Sequence, residues 1–175
     1  MKMMNSNQKN RIPSGRNPQF FREDPSVWKS RDYVLAAVSQ ARGALEKARM
    51  YAGDEEVVLV AIRAYAESLQ YASYKLRDTK KIVMEAVTRD GRALEFASER
   101  LSAEKEVVLT AVCQNGLALE FADDSLRNDP EIVLHALKQN PEAFKFIGEK
   151  LRENKQFMER ISHFRKKKFL FGGRR

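Results

Sequence analysis

An all-α array of repeated helix pairs is the fold class this sequence predicts, and three observations predict it. The chain repeats itself: aligning its apolar triplets superposes Leu35, Leu59, Met84, Leu109 and Leu134, which are 24, 25, 25 and 25 residues apart. The same alignment superposes Ala37-Val38, Ala61-Ile62, Ala86-Val87, Ala111-Val112 and Ala136-Leu137, then Leu45, Leu69, Leu94, Leu119 and Phe144. Helix boundary signals recur within the unit, with Asp129-Pro130-Glu131 as a start and Asn115-Gly116 as a stop. A period this short belongs to a stacked supersecondary unit. The expected architecture is an α-solenoid-like array of about five helix-pair repeats of 24–25 residues, with atypical capping ends.

Taken in order, residues 1–18 read as a disordered basic N-terminal tail, because they are rich in Asn, Ser, Gln, Lys and Arg and broken by Pro13, Gly15 and Pro18. Residues 19–163 form the helical repeat domain including its end caps. Phe20, Phe21, Val27 and Trp28 lie around Asp24-Pro25, a helix start, and are expected to cover the open end of the first repeat. Residues 164–175 are a basic and aromatic C-terminal tail.

Within the fourth unit, Val107, Val108, Leu109, Ala111 and Val112 make a nearly all-apolar stretch. Such a run fits a buried strand or a helix packed on both sides, and periodicity alone does not separate them. The Asp-Pro-Glu start of the fifth copy and the Val108/Val112 spacing favour helix. At its end, Asn115-Gly116 and Asp90-Gly91 are expected to stop the helix with glycine in the left-handed conformation. Asn140-Pro141 takes that place in the fifth unit, Ala66 in the second and Arg42 in the first, so the first two turns depart from the pattern.

The second helix of the unit is predicted from Leu119, Ala122 and Leu126, spaced i, i+3 and i+7 on one face. Leu94/Ala97/Leu101, Leu69/Ala72/Leu76 and Phe144/Ile147/Leu151 repeat the pattern, and Tyr71, Phe96, Phe121 and Phe146 add an aromatic column where the first unit has Lys47. Their place among Leu and Ala at core spacing makes them packing residues rather than a base-stacking platform. Residues 153–160, with Phe157 and Met158, resemble a half-unit that closes the array.

The phrases Glu106-Val107-Val108-Leu109-Thr110-Ala111-Val112-Cys113-Gln114-Asn115-Gly116-Leu117-Ala118-Leu119-Glu120-Phe121-Ala122 and Asp129-Pro130-Glu131-Ile132-Val133-Leu134 resemble the DUF4116 repeat family. The resemblance covers about Asp32 to Leu151 and is strongest from Asp78 to Gln139. It implies a tandem helical repeat of unknown function and brings no catalytic residues.

Composition narrows the function classes. The longest apolar run, Val57 to Ile62, is far short of the roughly 18 residues a membrane-spanning helix needs. A single cysteine, Cys113, cannot form an internal disulfide, and the first residues lack a secretory h-region, so a cytoplasmic location is expected. The formal charge of +8 divides unevenly: residues 1–16 carry +4 and residues 159–175 carry +6, which leaves −2 between them. Attraction to polyanions is therefore expected of the tails. Arg165, Lys166, Lys167 and Lys168, flanked by Phe164, Phe169, Leu170 and Phe171, are candidate anion-binding residues for nucleic acid or an anionic membrane surface.

No cofactor and no metal site is expected. Glu46, Glu95 and Glu120 share a position with Gln70 and Lys145, and stacked helices roughly 8–10 Å apart hold neighbouring acids too far apart for a retaining carboxylate pair. His135 shares its position with Ala36, Val60, Glu85 and Thr110, which suits a surface residue, and His163 adjoins the basic tail. Cys113 has no histidine near it in sequence, so a nucleophile would need the fold to bring one. No phosphate-binding glycine loop occurs. The expected function is a non-enzymatic protein–protein interaction module, with polyanion binding through the basic tails as the alternative.

Overall fold

The computed structural model describes residues 25–162, and among these every regular element is helical. Five helices of ten residues recur at the predicted period: α1 (Arg31–Gln40), α3 (Glu55–Ala64), α5 (Lys80–Arg89), α7 (Lys105–Gln114) and α9 (Pro130–Gln139). Residues 155–162 add α11, the opening helix of a sixth unit, with Phe157 buried and Met158 half-buried as the half-unit predicts, and with Ile161, just beyond the predicted half-unit, buried as well. The short helices between them are α2 (Ala44–Lys47), α4 (Tyr74–Arg77), α6 (Glu99–Ser102), α8 (Asp124–Arg127) and α10 (Glu149–Glu153). Predicted boundaries at residues 1–18 and 164–175 lie outside the described residues, as do Phe20 and Phe21.

Each long helix buries two adjacent pairs. In α7 these are Val107-Val108 and Ala111-Val112, and the same positions are buried in α1, α3, α5 and α9. Residues at i, i+1, i+4 and i+5 cover about half the helix surface, so the helix is packed by its neighbours on both sides. The apolar run is thus helical and sandwiched, as expected. Side-chain caps open several of these helices: Ser30 accepts from Tyr33 N–H, Asp54 from Val57 N–H, and Asp129 from the N–H groups of Glu131 and Ile132. At the start of the described chain, Val27 and Trp28 pack on the core, and Trp28 meets Tyr33 edge to face at 5.4 Å.

The second member of each pair is not continuous. After α7 the chain makes a 3₁₀ segment, Gly116–Phe121, then an extended break at Ala122, then the single turn α8. Leu119, Ala122 and Leu126 are all buried, but on two pieces rather than one face. Two sets of hydrogen bonds hold the break open. Ser73, Ser98 and Asp123 cap the next turn with their side chains. Their backbone N–H groups donate to the preceding unit, at 2.7 Å for Ser73 to Ala52, 3.0 Å for Ser98 to Arg77 and 2.9 Å for Asp123 to Ser102. Gly148 N–H repeats this at 2.8 Å to Arg127. Its lacking side chain leaves room for the Asn128 carboxamide, which caps α10 by accepting from Leu151 N–H at 2.9 Å. The first unit is one residue short between Ala48 and Tyr51, and there a 3₁₀ turn, Arg49–Tyr51, replaces the α turn.

The glycine turns need correction. Gly43, at φ 75°, is the one positive-φ glycine among the described residues, so Gly91 and Gly116 are not left-handed stops. Each long helix instead ends on one extended residue, Ala41, Tyr65, Asp90, Asn115 or Asn140. The side chains of Asp90, Asn115 and Asn140 then accept from the N–H groups of Arg92, Leu117 and Glu142. The Asn-Gly pair therefore opens the next segment rather than closing the previous helix. Glycine is needed because of the next unit: a Cβ on Gly91 would overlap the Ala111 carbonyl oxygen, and one on Gly116 the Ala136 carbonyl oxygen.

That close approach is braced. Gly91 N–H donates to Gln114 Oε1 at 2.6 Å, and Gln114 Nε2 donates to the Arg89 carbonyl at 3.0 Å. Gln139 does the same with Gly116 N–H at 2.6 Å and the Gln114 carbonyl at 3.2 Å. One unit earlier the pairing changes at both ends. Ala66 stands in the glycine position, and Arg89 replaces the glutamine, donating to the Arg63 carbonyl at 3.2 Å. In addition, α3 and α5 meet along less of their length than α5 and α7.

Candidate functional site

The long helices share a solvent-facing side with a regular composition. Its centre is the row Leu35, Leu59, Met84, Leu109 and Leu134, each half-buried. Along one border runs a ladder of ion pairs between successive units. Arg31 holds Asp54 at 2.8 Å and Glu56 at 2.6 Å; Lys105 holds Asp129 at 2.9 Å and Glu131 at 2.7 Å. Lys80 likewise holds Glu104 and, at 2.6 Å, Glu106. Between α3 and α5 the polarity is reversed, with Glu55 accepting from Lys81 at 2.8 Å.

These pairs shift the groups they join. Hydrogen bonding from Arg31 holds the Asp54 carboxyl below the usual range, and Ser98, with Arg100, does the same for Asp78. Arg89 and Arg63 lower Glu85. For Asp129, burial pushes the carboxyl up, but Lys105 and the backbone N–H groups of Glu131 and Ile132 more than offset it. A carboxyl whose folded pKa is lowered stabilises the fold above its unfolded value, about 4, and that contribution is lost as pH falls through the folded value. The thermal midpoint is thus expected to be flat from about pH 7 to 5 and to fall below about pH 4. A midpoint that holds or rises on acidification would contradict the ladder's role.

The predicted chemical candidates separate. Arg165, Lys166, Lys167 and Lys168 lie outside the described residues, as does His163. Glu46, Glu95 and Glu120 are exposed on the 3₁₀ and short-helix edge, and no group of three or more potential metal ligands forms among the described residues. Tyr71, Phe96, Phe121 and Phe146 are half-buried against the core, which agrees with a packing role. A shallow depression of about 460 Å³ lies between Arg127, Phe146 and Arg152, but Arg152 is committed to the carbonyls of Lys145 and Ile147 at 3.0 Å each.

The fold does bring a histidine to Cys113. Cys113 Sγ lies 3.4 Å from His135 Nδ1, across the gap between α7 and α9, and the thiol is exposed. The pair was legible from the period: Thr110 lies one unit before His135, and Cys113 is three residues, about one turn, beyond Thr110. Cysteine nucleophiles favour electropositive surroundings such as helix N-termini, whereas Cys113 occupies the last turn of α7, where the helix dipole opposes a thiolate.

The repeat geometry matches a known sequence profile. A domain of unknown function, DUF4116, matches residues 54–102, 104–152 and 131–161. The chain belongs to the DUF4116 family. Each full match begins at a long-helix cap and ends in the short helix of the next unit, so one DUF4116 match spans two structural repeats. No curated protein and no solved structure matches the chain. Among the described residues no helix is long and apolar enough to cross a membrane.

Proposed function

We propose that this DUF4116 chain is a non-enzymatic interaction module that binds another protein along its array. The observation that carries this reading is the long-helix face, where one half-buried apolar residue per unit continues across five units beside a border of ion pairs between units. A surface that repeats at the spacing of the units suits an extended protein partner. The Cys113–His135 contact is the nearest approach to a reactive constellation, and its place at a helix C-terminus speaks for a structural contact.

Polyanion binding through the basic tails is the second reading, favoured by the division of charge between the tails and the body. One variant tests both: Arg165, Lys166, Lys167 and Lys168 each replaced by Gln in the full chain. Truncating from Glu159 would be a poorer test, because it removes Ile161, a buried core residue. The expected result is that affinity capture of a protein partner survives both the substitution and high salt. Binding of the unmodified chain to anionic vesicles or nucleic acid, lost in the variant and steeply salt-dependent, would favour the second reading.

A further inference from the structure

Among the described residues two large apolar side chains are exposed, Met50 at 68% and Tyr74 at 70%. They occupy corresponding turns of the first two units: Met50 lies in the 3₁₀ turn Arg49–Tyr51 and Tyr74 opens α4. The two turns are tied together by the Ser73 N–H, which donates to the Ala52 carbonyl at 2.7 Å. The fold has no need of apolar groups here. The same turn presents Glu99 and Arg100 in the third unit, Asp124 and Ser125 in the fourth, and Glu149 and Lys150 in the fifth, all exposed. Two exposed apolar residues on hydrogen-bonded turns, at positions that later units fill with charged or hydroxyl side chains, mark a recognition surface rather than a packing requirement.

Charge selects the kind of partner. Lys47, Arg49 and Lys75, all exposed, lie within three residues of Met50 or Tyr74 along the chain. Two neighbouring carboxylates are engaged elsewhere, Asp54 with Arg31 and Asp78 with Ser98 and Arg100, which leaves the three cations in excess over the exposed Glu46. A second copy of this edge would bring like charges together. We propose that Met50 and Tyr74 anchor an acidic protein segment carrying apolar side chains, with Lys47, Arg49 and Lys75 drawing its carboxylates; this goes beyond the interaction reading above by adding a second surface, separate from the long-helix face.

The test uses random dodecapeptides displayed on phage and selected on the immobilised full chain, followed by affinity measurement with the synthesised winners. Enriched peptides are expected to combine several Asp or Glu with one or two aromatic or aliphatic residues. Met50→Glu and Tyr74→Glu should each weaken them by about tenfold or more. Both place an acid in a turn that carries one in later units, so folding should be kept, as circular dichroism would check. Arg92→Glu, on the exposed side of the 3₁₀ segment Gly91–Phe96, where the second and fifth units carry Glu67 and Glu142, should leave affinity unchanged. Enriched peptides with no acidic bias, or unaffected by either anchor substitution, would overturn this site while leaving the interaction reading in place. Failure to enrich any peptide would also overturn it, and the partner capture described above would then judge the broader reading separately. Self-association of the full chain that Met50→Glu abolishes would make a second copy the occupant and refute the acidic segment.

Discussion

Gly116→Ala should destabilise the array by about 3 kcal/mol, near the top of the usual range for overpacking. The added Cβ overlaps the Ala136 carbonyl oxygen and falls 2.9 Å from the Asn140 nitrogen and 3.0 Å from Gln139 Oε1. Two of these atoms are backbone, held in α9 and its end, so relief requires the two units to move apart. Separation would also stretch the Gln139 brace to Gly116 N–H and the Gln114 carbonyl. Gly116→Val should do no better. Ala66→Val should cost less, because that junction already accommodates a Cβ and lacks the glutamine brace. Urea denaturation of the three variants decides the matter. A Gly116→Ala midpoint equal to that of the unmodified chain would show that the close approach is not needed.

The choice of alanine separates two meanings of the same glycine. A left-handed glycine would be disturbed by any side chain through its own φ angle, and Gly43 is the position where that applies. At Gly116 the obstacle is an atom twenty residues away. A dipeptide such as Asn-Gly announces a boundary in the sequence, but it does not say whether the glycine serves its own backbone or a neighbour's. That is why the turns were legible as turns and misread in conformation. The departures at Ala66 and Arg42 were visible too, and they now have distinct causes: Ala66 belongs to a looser junction, and Arg42 precedes a turn made by Gly43.

Other features were readable in proportion to how local they are. The paired apolar positions of the long helices depend only on helical periodicity, and all of them are buried where expected. The break in the second helix was hidden because Leu119, Ala122 and Leu126 satisfy a helical face and the broken arrangement alike. The competing signal was present in Ser73-Tyr74-Lys75-Leu76 and Ser98-Glu99-Arg100-Leu101, where serine caps a turn whose third residue is a buried leucine. The ion-pair ladder was equally available as a cation at the first position of one helix and acids flanking that position in the next. Met50 and Tyr74 were not, because exposure of an apolar residue is settled only once its turn is placed.

Leu119→Ala is the other large effect expected, a loss of about 2–5 kcal/mol. Leu119 is fully buried in the 3₁₀ segment of its unit, which packs on the 3₁₀ segments of the units before and after it, and its counterparts Leu45, Leu69 and Leu94 are fully buried too. Removing the side chain deletes its transfer free energy and leaves a cavity that the flanking elements are poorly placed to fill. Two backbone bonds fix its unit in position, from Asp123 N–H to Ser102 and from Gly148 N–H to Arg127. In a stacked array stability is nearly a sum of units and junctions, so a defect in the fourth unit also weakens its contacts with the third and fifth. Hydrogen exchange should therefore show the largest loss of protection in α7 and α9, with a smaller loss in α1 and α3 beyond the looser α3–α5 junction. Equal loss in all five long helices would mean that the array unfolds as one unit and that this junction is not its weak point. Loss confined to residues 116–127 would mean that each repeat stands alone.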